Sequence, residues 1–416
     1  MILLRLAIRS LISRRITVGL TVLAIALSTA LFLGVEKVRT GARASFADTI
    51  SDTDLIIGAR TGGVQLLLYS VFRIGNATNN ITWESYEDVI SQPGVAWAVP
   101  ISLGDSHRGF RVMGTTAAYF DRYKYRGGQD LTLAEGNRFD DLFDTVIGAD
   151  VARQLGYRIG DPIVVAHGLA SFTEHDDKPF RVAGILAKTG TPVDRTVIVS
   201  LKAIEAIHVD WQEGAQSANP VSADAVRGMD LAPSAITAAM IGVESPLQVF
   251  RLQRAINEYR EEPLMAVIPG VALQELWEIV GVAETALFGV SAMVVATALI
   301  GMAAMIFSGL NERRREMAIF RAVGARPGTI LGLLVLEAAL MAAAGAALGV
   351  ALLYTGLWIA RPYVDAAFGL YLPISALTPR EWAGIAAVVA GGTLVGFFPA
   401  IRAYRISLAD GMTIRT

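Results

Sequence analysis

The stretch that decides the fold is Thr285–Leu310, TALFGVSAMVVATALIGMAAMIFSGL, in which 26 consecutive residues carry no charged side chain. An α-helix rises 1.5 Å per residue, so about 20 apolar residues cross the hydrocarbon core of a bilayer. The stretch is therefore predicted to be a transmembrane helix, and the chain to be an integral membrane protein.

Three other segments have the same apolar character, and together the four spans divide the chain into nine parts. The predicted parts are residues 1–15, an interfacial elbow helix; 16–36, transmembrane helix 1; 37–278, an extracytoplasmic domain; 279–310, transmembrane helix 2; 311–328, a cytoplasmic coupling loop; 329–358, transmembrane helix 3; 359–380, a short extracytoplasmic loop; 381–401, transmembrane helix 4; and 402–416, a cytoplasmic tail.

The first fifteen residues are predicted to lie on the inner leaflet, because Arg5 and Arg9 share one face of an otherwise apolar helix. The alternative is an N-terminal continuation of the first span. That span is longer than the apolar region of a secretory signal peptide, so it is expected to remain in the protein.

Basic residues next to the spans predict the orientation, because Lys and Arg are retained on the cytoplasmic side. Between Glu36 and Glu284 there are 22 basic and 32 acidic residues, a formal charge of −10, so this region has the opposite bias. We expect a bacterial inner-membrane protein with both termini in the cytoplasm. The arginines that support this are Arg5, Arg9, Arg14 and Arg15 at the N-terminus, Arg313, Arg314, Arg315, Arg321 and Arg326 in the central loop, and Arg402, Arg405 and Arg415 in the tail.

Composition and motifs argue against catalysis by this chain. It is 53% hydrophobic and 18% charged, and it has no cysteine, which excludes disulfides and thiolate chemistry. No phosphate loop of the form G-x-x-x-x-G-K-[ST] and no H-E-x-x-H or G-x-S-x-G motif occurs. We therefore expect no catalytic residue and no cofactor in this chain, and any energy source to be a partner.

The extracytoplasmic domain is predicted to be α+β, because strand and helix patterns alternate along it. Thr145–Ile147 and Thr196–Ser200 have the β-branched composition of strands. Between them, Asp150 is in a position to cap a helix that ends at Gly156, and Leu201–His208 has the pattern of a second short helix.

Two histidines of this domain, His167 and His175, lie close in sequence to three carboxylates, Glu174, Asp176 and Asp177. Imidazole and carboxylate ligands can bind a transition metal, but an exposed acidic turn is the commoner origin of such a pattern. The sequence therefore assigns no metal site, and this pair remains the weak candidate for one.

The third span contains one acidic residue and a run of small residues. Glu337 is expected to face the interior of the helix bundle, where it serves either as a proton relay or, as we favour, in a hydrogen bond between helices. Gly345 and Gly349 lie four residues apart, so this face is expected to pack closely on another helix of the same subunit or across a dimer.

The segment after the second span is Asn311–Thr329, NERRREMAIFRAVGARPGT. Its residues predict a short basic helix at the cytoplasmic surface, ended or bent by Gly324, that docks a cytosolic protein or anionic lipid headgroups. From Glu312 to Ala325 it resembles the E-R-R-R-E-[IM]-x-[IL]-x-R-A-[LV]-G-A signature of the FtsX/MacB-type (type VII) ABC transporter permeases. The tail Pro399–Ala403, PAIRA, and the outer segment Asp144–Asp161 with Phe180–Ile185 are also similar to that family.

The resemblance implies four transmembrane helices and a MacB-like periplasmic core domain between helices 1 and 2. It implies a permease homodimer that recruits two copies of a separate cytosolic ABC ATPase, which binds ATP and Mg. ATP hydrolysis then moves the periplasmic domain by mechanotransmission, for export, lipoprotein or peptide extraction, or related envelope work. The residues expected to couple to the ATPase are Glu312, Arg313, Arg314, Arg315, Glu316, Arg321 and Gly324.

Partners beyond the ATPase include membrane lipids and a periplasmic accessory protein or lipoprotein, and no feature points to nucleic acid. A function from another class also fits the residues. In that alternative the chain is a membrane receptor or regulator without transport activity, whose outer domain binds a ligand and whose arginine-rich loop signals to a cytosolic partner. A neighbouring gene for a soluble ATPase would favour the permease.

Overall fold

The computed structural model describes residues 2–168, 175–212, 215–216, 221–312, 314–368 and 374–405. The chain forms two compact units. The first, which we call the helical unit, comprises Met1–Gly41, Gly281–Pro362 and Leu372–Thr416; the second, the outer unit, comprises Ala42–Val280 and Tyr363–Tyr371.

The described residues contain thirteen α-helices. They are α1 (Ile2–Ser13), α2 (Arg15–Thr49), α3 (Gly63–Ser70), α4 (Trp83–Ile90), α5 (Ala118–Arg122), α6 (Ala149–Leu155), α7 (Leu201–His208), α8 (Ala223–Val226), α9 (Val249–Asn257), α10 (Pro269–Glu312), α11 (Arg314–Ala322), α12 (Pro327–Phe368) and α13 (Pro379–Arg405).

Seventeen strands lie in the described part of the outer unit. They are β1 (Leu55–Ala59), β2 (Ile81–Thr82), β3 (Val95–His107), β4 (Phe110–Thr115), β5 (Lys124–Tyr125), β6 (Gln129–Asp130), β7 (Leu133–Gly136), β8 (Asp144–Ile147), β9 (Pro162–Ile163), β10 (Ala166–His167), β11 (Phe180–Leu186), β12 (Thr196–Ser200), β13 (Trp211–Gln212), β14 (Ala215–Gln216), β15 (Ala235–Ile236), β16 (Ala238–Val243) and β17 (Leu264–Val267).

Four helices of the described chain are long and apolar enough to cross a membrane, in agreement with the four predicted spans. Half of the residues in the apolar stretch of α12 are buried within the chain, compared with 22–33% of those in the other three helices. Helix α12 is therefore the central helix. The candidate spans are Arg15–Ala47, Pro269–Leu310, Pro327–Val364 and Pro379–Arg402.

The core of the helical unit is built where these helices meet. Ile25 of α2, Met302 of α10 and Leu334 of α12 are fully or almost fully buried in it, and Ala400 of α13 completes the set. Helix α1 is separate from α2, because it ends at Ser13 and α2 begins at Arg15.

The outer unit is organised by a mixed sheet with the strand order β17-β1-β16-β3-β4-β12-β8-β11-β7, to which β10 is added at β3 and β9 at β11. The pairs β4–β12 and β8–β11 are parallel, and the others in this sheet are antiparallel. Side chains such as Ile198, Val199 and Ile57 pack on its two faces into three apolar clusters. Three two-stranded antiparallel sheets, β2–β15, β5–β6 and β13–β14, lie beside it. The expected α+β domain is therefore one large mixed sheet with three small sheets and short helices around it.

Several predicted elements of the outer unit are present with their expected bounds, including β12 at Thr196–Ser200 and α7 at Leu201–His208. The predicted end of the helix at Gly156 is also confirmed, since α6 ends at Leu155 and Gly156 is its C-cap, in the left-handed conformation. The prediction that Asp150 caps α6 is wrong. Gly148 is the N-cap, and Asp150 lies buried in the first turn, where Lys188 and Arg153 neutralise it.

Candidate functional site

The loop between α10 and α12 contains the short helix α11, which ends in a tight turn. The amide of Ala325 donates to the carbonyl of Phe320, and the amide of Gly324 donates to that of Arg321. This pair of bonds is a Schellman motif, which requires a left-handed residue, and Gly324 has φ of +99°. Pro327 then starts α12, so the turn that Gly324 makes joins two helices directly.

Helix α11 has two different faces. Met317 is buried in the same apolar cluster as Leu310 of α10 and Ile330 of α12, and Ala318 beside it is also buried, so this face anchors the helix. Ile319 and Val323 are 56% and 84% exposed, and with Glu316 they lie three and four residues apart on the opposite face. The predicted residues Gly324, Glu316 and Arg321 are thus found on one short helix and its turn.

The remaining predicted coupling residues lie at the boundary of the described chain. Arg313 lies outside the described residues. Glu312 ends α10, and Arg314 and Arg315 begin α11, but the structure describes only their backbone.

Glu337 is 4% exposed inside α12, where it faces the other helices of the helical unit. It lines a small cavity together with Ser10 and Arg14 from α1 and the turn after it, and with Met341 one turn further along α12. A carboxylate at membrane depth is costly unless it finds polar partners, so its inward position is the expected one. Arg14 also donates to the carbonyl of Gly309 at 3.4 Å.

Small residues of α12 allow close contacts on two sides. A methyl group added to Gly345 would lie 2.6 Å from Ile25 Cγ2, and one added to Gly349 would lie 2.7 Å from the carbonyl oxygen of Ala26, so both glycines pack directly on α2. The spacing of Gly345 and Gly349 thus serves packing within this chain. On another side, Ala338 packs against Gly396 of α13 and Ala342 against Gly392, and neither of these glycines was predicted to be a packing residue.

Three of the four histidines meet one aspartate in the outer unit. We call Asp105, His167, His175 and His208 the histidine cluster. One possible ligand atom from each residue lies within 4.8 Å of the corresponding atoms of the other three. His167 Nδ1 is 3.0 Å from His208 Nε2 and 3.4 Å from Asp105 Oδ1, and His208 Nε2 is 3.7 Å from the same carboxylate oxygen.

Separate elements hold these four residues in place. Asp105 lies near the end of β3, and the register of β10 on β3 puts His167 directly opposite it. His208 is the last residue of α7, and His175 follows β10 with its amide bonded to the carbonyl of Val165. Only the sheet register and the position of α7 bring together side chains that are far apart in sequence.

Burial and neighbouring charges affect these imidazoles differently. Burial, reinforced by the proximity of His208, lowers the pKa of His175 to about 4, so this ring is neutral at physiological pH. The carboxylate of Asp105 raises the pKa of the more exposed His167. A neutral buried imidazole is in the protonation state that binds metals.

Of the four residues, His167 and His175 could be named from the sequence, whereas Asp105 and His208 were not predicted. Asp105 carries no local signal, since it lies inside a strand two residues before another histidine. The remaining histidine, His107, has a different role, because its ring bonds to the carbonyl of Val164 and the hydroxyl of Tyr157. One sequence signal could have pointed to His208, because this histidine ends a predicted helix and lies two residues before the acidic Asp210.

Comparison with known proteins gives two family matches. The sequence model of the MacB-like periplasmic core domain matches residues 18–258, and that of the FtsX-like permease C-terminal region matches residues 288–408. Comparison with curated protein sequences gives no match.

Two solved structures are similar to about half of the chain. The periplasmic region of MacB from Actinobacillus actinomycetemcomitans has 12% identity and a TM-score of 0.34, with 55% of this chain and 94% of that chain covered. The extracellular domain of the noncanonic ABC-type transporter YknZ from Gram-positive bacteria has 14% identity and a TM-score of 0.31, with 52% of this chain and 99% of that one covered.

Four apolar helices and an α/β unit inserted after the first of them define a multi-span membrane protein with one large outer domain. Since the two family models together account for most of its length, the chain belongs to the FtsX/MacB-type permeases, the membrane subunits of ABC transporters. This confirms the resemblance seen in the sequence. Membership of the family implies a cytosolic ATPase as partner.

Proposed function

We propose that this permease recruits its ATPase through helix α11 and transmits the force of ATP hydrolysis to the outer unit. The observation that carries the proposal is the division of α11 into an anchored face and an exposed one. Met317 fixes the helix in the core of the helical unit, while Ile319 and Val323 are left for a partner. Exposed apolar side chains next to charged ones are typical of protein contacts.

The connections of α11 suit it to transmit force. It is joined to α12 through the tight turn at Gly324, and its Met317 belongs to the apolar cluster that also contains residues of α10 and α12, so we expect movement of α11 to displace those helices. Helices α2 and α10 each contribute residues to both units, and we propose that they carry the movement outward. ATP and Mg are bound by the partner, and no residue of this chain acts in catalysis.

The distribution of charge supports the assignment of sides. The basic residues around α1 and α11 are retained in the cytoplasm of a bacterial inner-membrane protein, and the acidic outer unit faces the periplasm. We propose a permease homodimer with two ATPase copies. Its work on export, lipoprotein or peptide extraction, or related envelope tasks would involve a periplasmic accessory protein or lipoprotein.

Co-purification from membranes tests the docking face. Ile319→Asp combined with Val323→Asp is expected to abolish recovery of the ATPase with the permease, because it places two charges in an apolar contact. Arg313→Glu combined with Arg314→Glu is expected to have the same effect. Leu247→Asp is the matched control, since Leu247 is 91% exposed and belongs to the outer unit.

Recovery of a stoichiometric ATPase with the parent chain and the control, but not with the α11 variants, supports the proposal. Full recovery with Ile319→Asp and Val323→Asp would contradict α11 as the docking element. If no ATPase accompanies even the parent chain in nanodiscs, the receptor or regulator alternative gains support.

A further inference from the structure

We propose that the histidine cluster of the outer unit, Asp105, His167, His175 and His208, binds one divalent transition-metal ion, with Zn²⁺ as the favoured ion. Three imidazole nitrogens and one carboxylate oxygen are ligands that Zn²⁺ accepts in tetrahedral sites. Ca²⁺ and Mg²⁺ prefer all-oxygen ligand sets, so they are not expected to bind here.

The spacing of the four side chains suits a tetrahedral site. Zn²⁺ bonds of 2.0–2.1 Å place neighbouring tetrahedral ligands about 3.3 Å apart. The separations between His167, His208 and Asp105 are 3.0, 3.4 and 3.7 Å, so these three atoms already lie close to that value. The fourth residue, His175, is within 4.8 Å of them, which requires only a small adjustment of side chains.

His175 points most directly to a ligand. Its side chain is fully buried, and neither ring nitrogen has a hydrogen-bond partner among the described residues. Burying an imidazole without a partner is costly, and native structures rarely leave such a group unsatisfied. A metal ion between His175 and its three neighbours would satisfy it.

The neighbouring groups orient the ligands toward one point. A carbonyl oxygen can only accept, so the 2.7 Å bond from His208 Nδ1 to the carbonyl of Ile204 places the proton on Nδ1 and leaves Nε2 unprotonated, the form that binds metal. Such a second hydrogen bond is the usual support of a metal-binding histidine. His167 Nδ1 lies 3.0 Å from His208 Nε2, so a metal ion bound by both would displace the proton between them, either to solvent or to Nε2 of His167.

A buried ion pair fixes the two segments that carry the ligands. Lys178 Nζ bonds both carboxylate oxygens of Asp210 at 3.0 and 2.9 Å, with both side chains almost fully buried. Lys178 lies three residues after His175, and Asp210 lies two residues after His208. The pair therefore holds these two ligands close together before any ion arrives.

The ligand count indicates the role of the ion. Four protein ligands fill a tetrahedral shell, which is typical of structural sites and leaves no position for a reacting water. His167 is about half exposed and provides the entry route for the ion. We infer that the ion joins β3, β10, α7 and the segment of His175, so that metal occupancy stabilises the outer unit.

Metal titration of the purified full-length chain tests this inference. The chain is stripped with a chelator in detergent, dialysed, and titrated with Zn²⁺ by calorimetry, and bound zinc is counted by elemental analysis. One Zn²⁺ per chain is expected, together with a rise in the thermal unfolding midpoint and a change in the fluorescence of Trp211, whose ring lies 4.7 Å from that of His175. Co²⁺ in place of Zn²⁺ is expected to give the intense visible absorption of a tetrahedral site.

Two variants test whether the histidine cluster binds the ion and His107 does not. His167→Gln changes the most exposed ligand, so the fold is retained, and Zn²⁺ affinity is expected to fall about tenfold or more. His107→Gln alters the one histidine outside the cluster and is expected to keep full affinity. Absence of stoichiometric Zn²⁺ binding, or affinity unchanged by His167→Gln, would overturn the inference. The result does not depend on ATPase docking, so each can fail without the other.

Discussion

Lys37 Nζ lies 3.2 Å from Glu381 Oε2, and the two side chains are 5% and 0% exposed. Lys37 belongs to α2, and Glu381 forms a capping box with Thr378 at the start of α13. The same ammonium group donates to the carbonyls of Ser375 and Ala376. This buried pair therefore fastens the start of α13 to α2 within the helical unit.

Removing the positive partner of this pair is expected to destabilise the helical unit. Lys37→Met leaves the carboxylate of Glu381 buried and unpaired, which costs about 3–5 kcal/mol. We expect a large drop in the thermal unfolding midpoint of the detergent-solubilised chain. The double variant Lys37→Met with Glu381→Gln should recover part of it, because the glutamine is neutral and still caps α13.

Arg380 provides the matched control for this experiment. It is 65% exposed and pairs with Glu36 at 3.5 Å, so Arg380→Met is expected to cost about 1 kcal/mol or less. An equal loss of stability in the Lys37 and Arg380 variants would show that the buried Lys37–Glu381 pair contributes no more to stability than an exposed pair.

Gly349 is expected to tolerate no larger side chain. In Gly349→Ala the new methyl group meets the carbonyl oxygen of Ala26 and Cβ of Thr29, both at 2.7 Å, so α2 and α12 must separate. The cost is about 1–3 kcal/mol. Gly356→Ala on the same helix meets no atom within 4 Å and should be neutral or slightly stabilising. Comparison of the unfolding midpoints of the two variants in detergent decides the point, and equal midpoints would argue against close packing at Gly349.

Gly148 is expected to be essential for packing in the outer unit. A methyl group there would collide with the carbonyl oxygens of Val193 and Asp194, which are backbone atoms and cannot rotate away. We expect Gly148→Ala to destabilise the outer unit by about 1–3 kcal/mol. The loss of stability is measured by tryptophan fluorescence during denaturation. Gly104→Ala, which has open space around it, is the control. Similar unfolding curves for both variants would contradict the prediction.

The outer unit is expected to fold without the helical unit. Residues 42–280 contain the whole mixed sheet and three apolar clusters of their own. Expressed as a soluble fragment, they should give a fixed near-ultraviolet circular dichroism spectrum and one cooperative unfolding transition. A fragment that binds hydrophobic dyes and lacks that spectrum would instead be a molten state that needs the spans.

Local patterns in the sequence were sufficient to predict the four apolar helices and the strand Thr196–Ser200. Membrane insertion responds to about 20 consecutive side chains, and a strand or helix to the residues next to it. The capping of α6 was mispredicted, because burial of Asp150 beside Lys188 is a tertiary contact that outweighs the local preference for an aspartate at the helix start.

The sequence by itself determined that this protein spans a membrane, which family it resembles and which of its loops is basic, since hydropathy, charge and motif are properties of contiguous residues. Tertiary structure alone decided that Gly345 and Gly349 pack on α2, that Ile319 and Val323 face away from the core, and that Asp105 meets three histidines. The physical reason is that the register of a sheet and the packing of helices place side chains from distant segments within a few ångströms, and no local pattern encodes those distances.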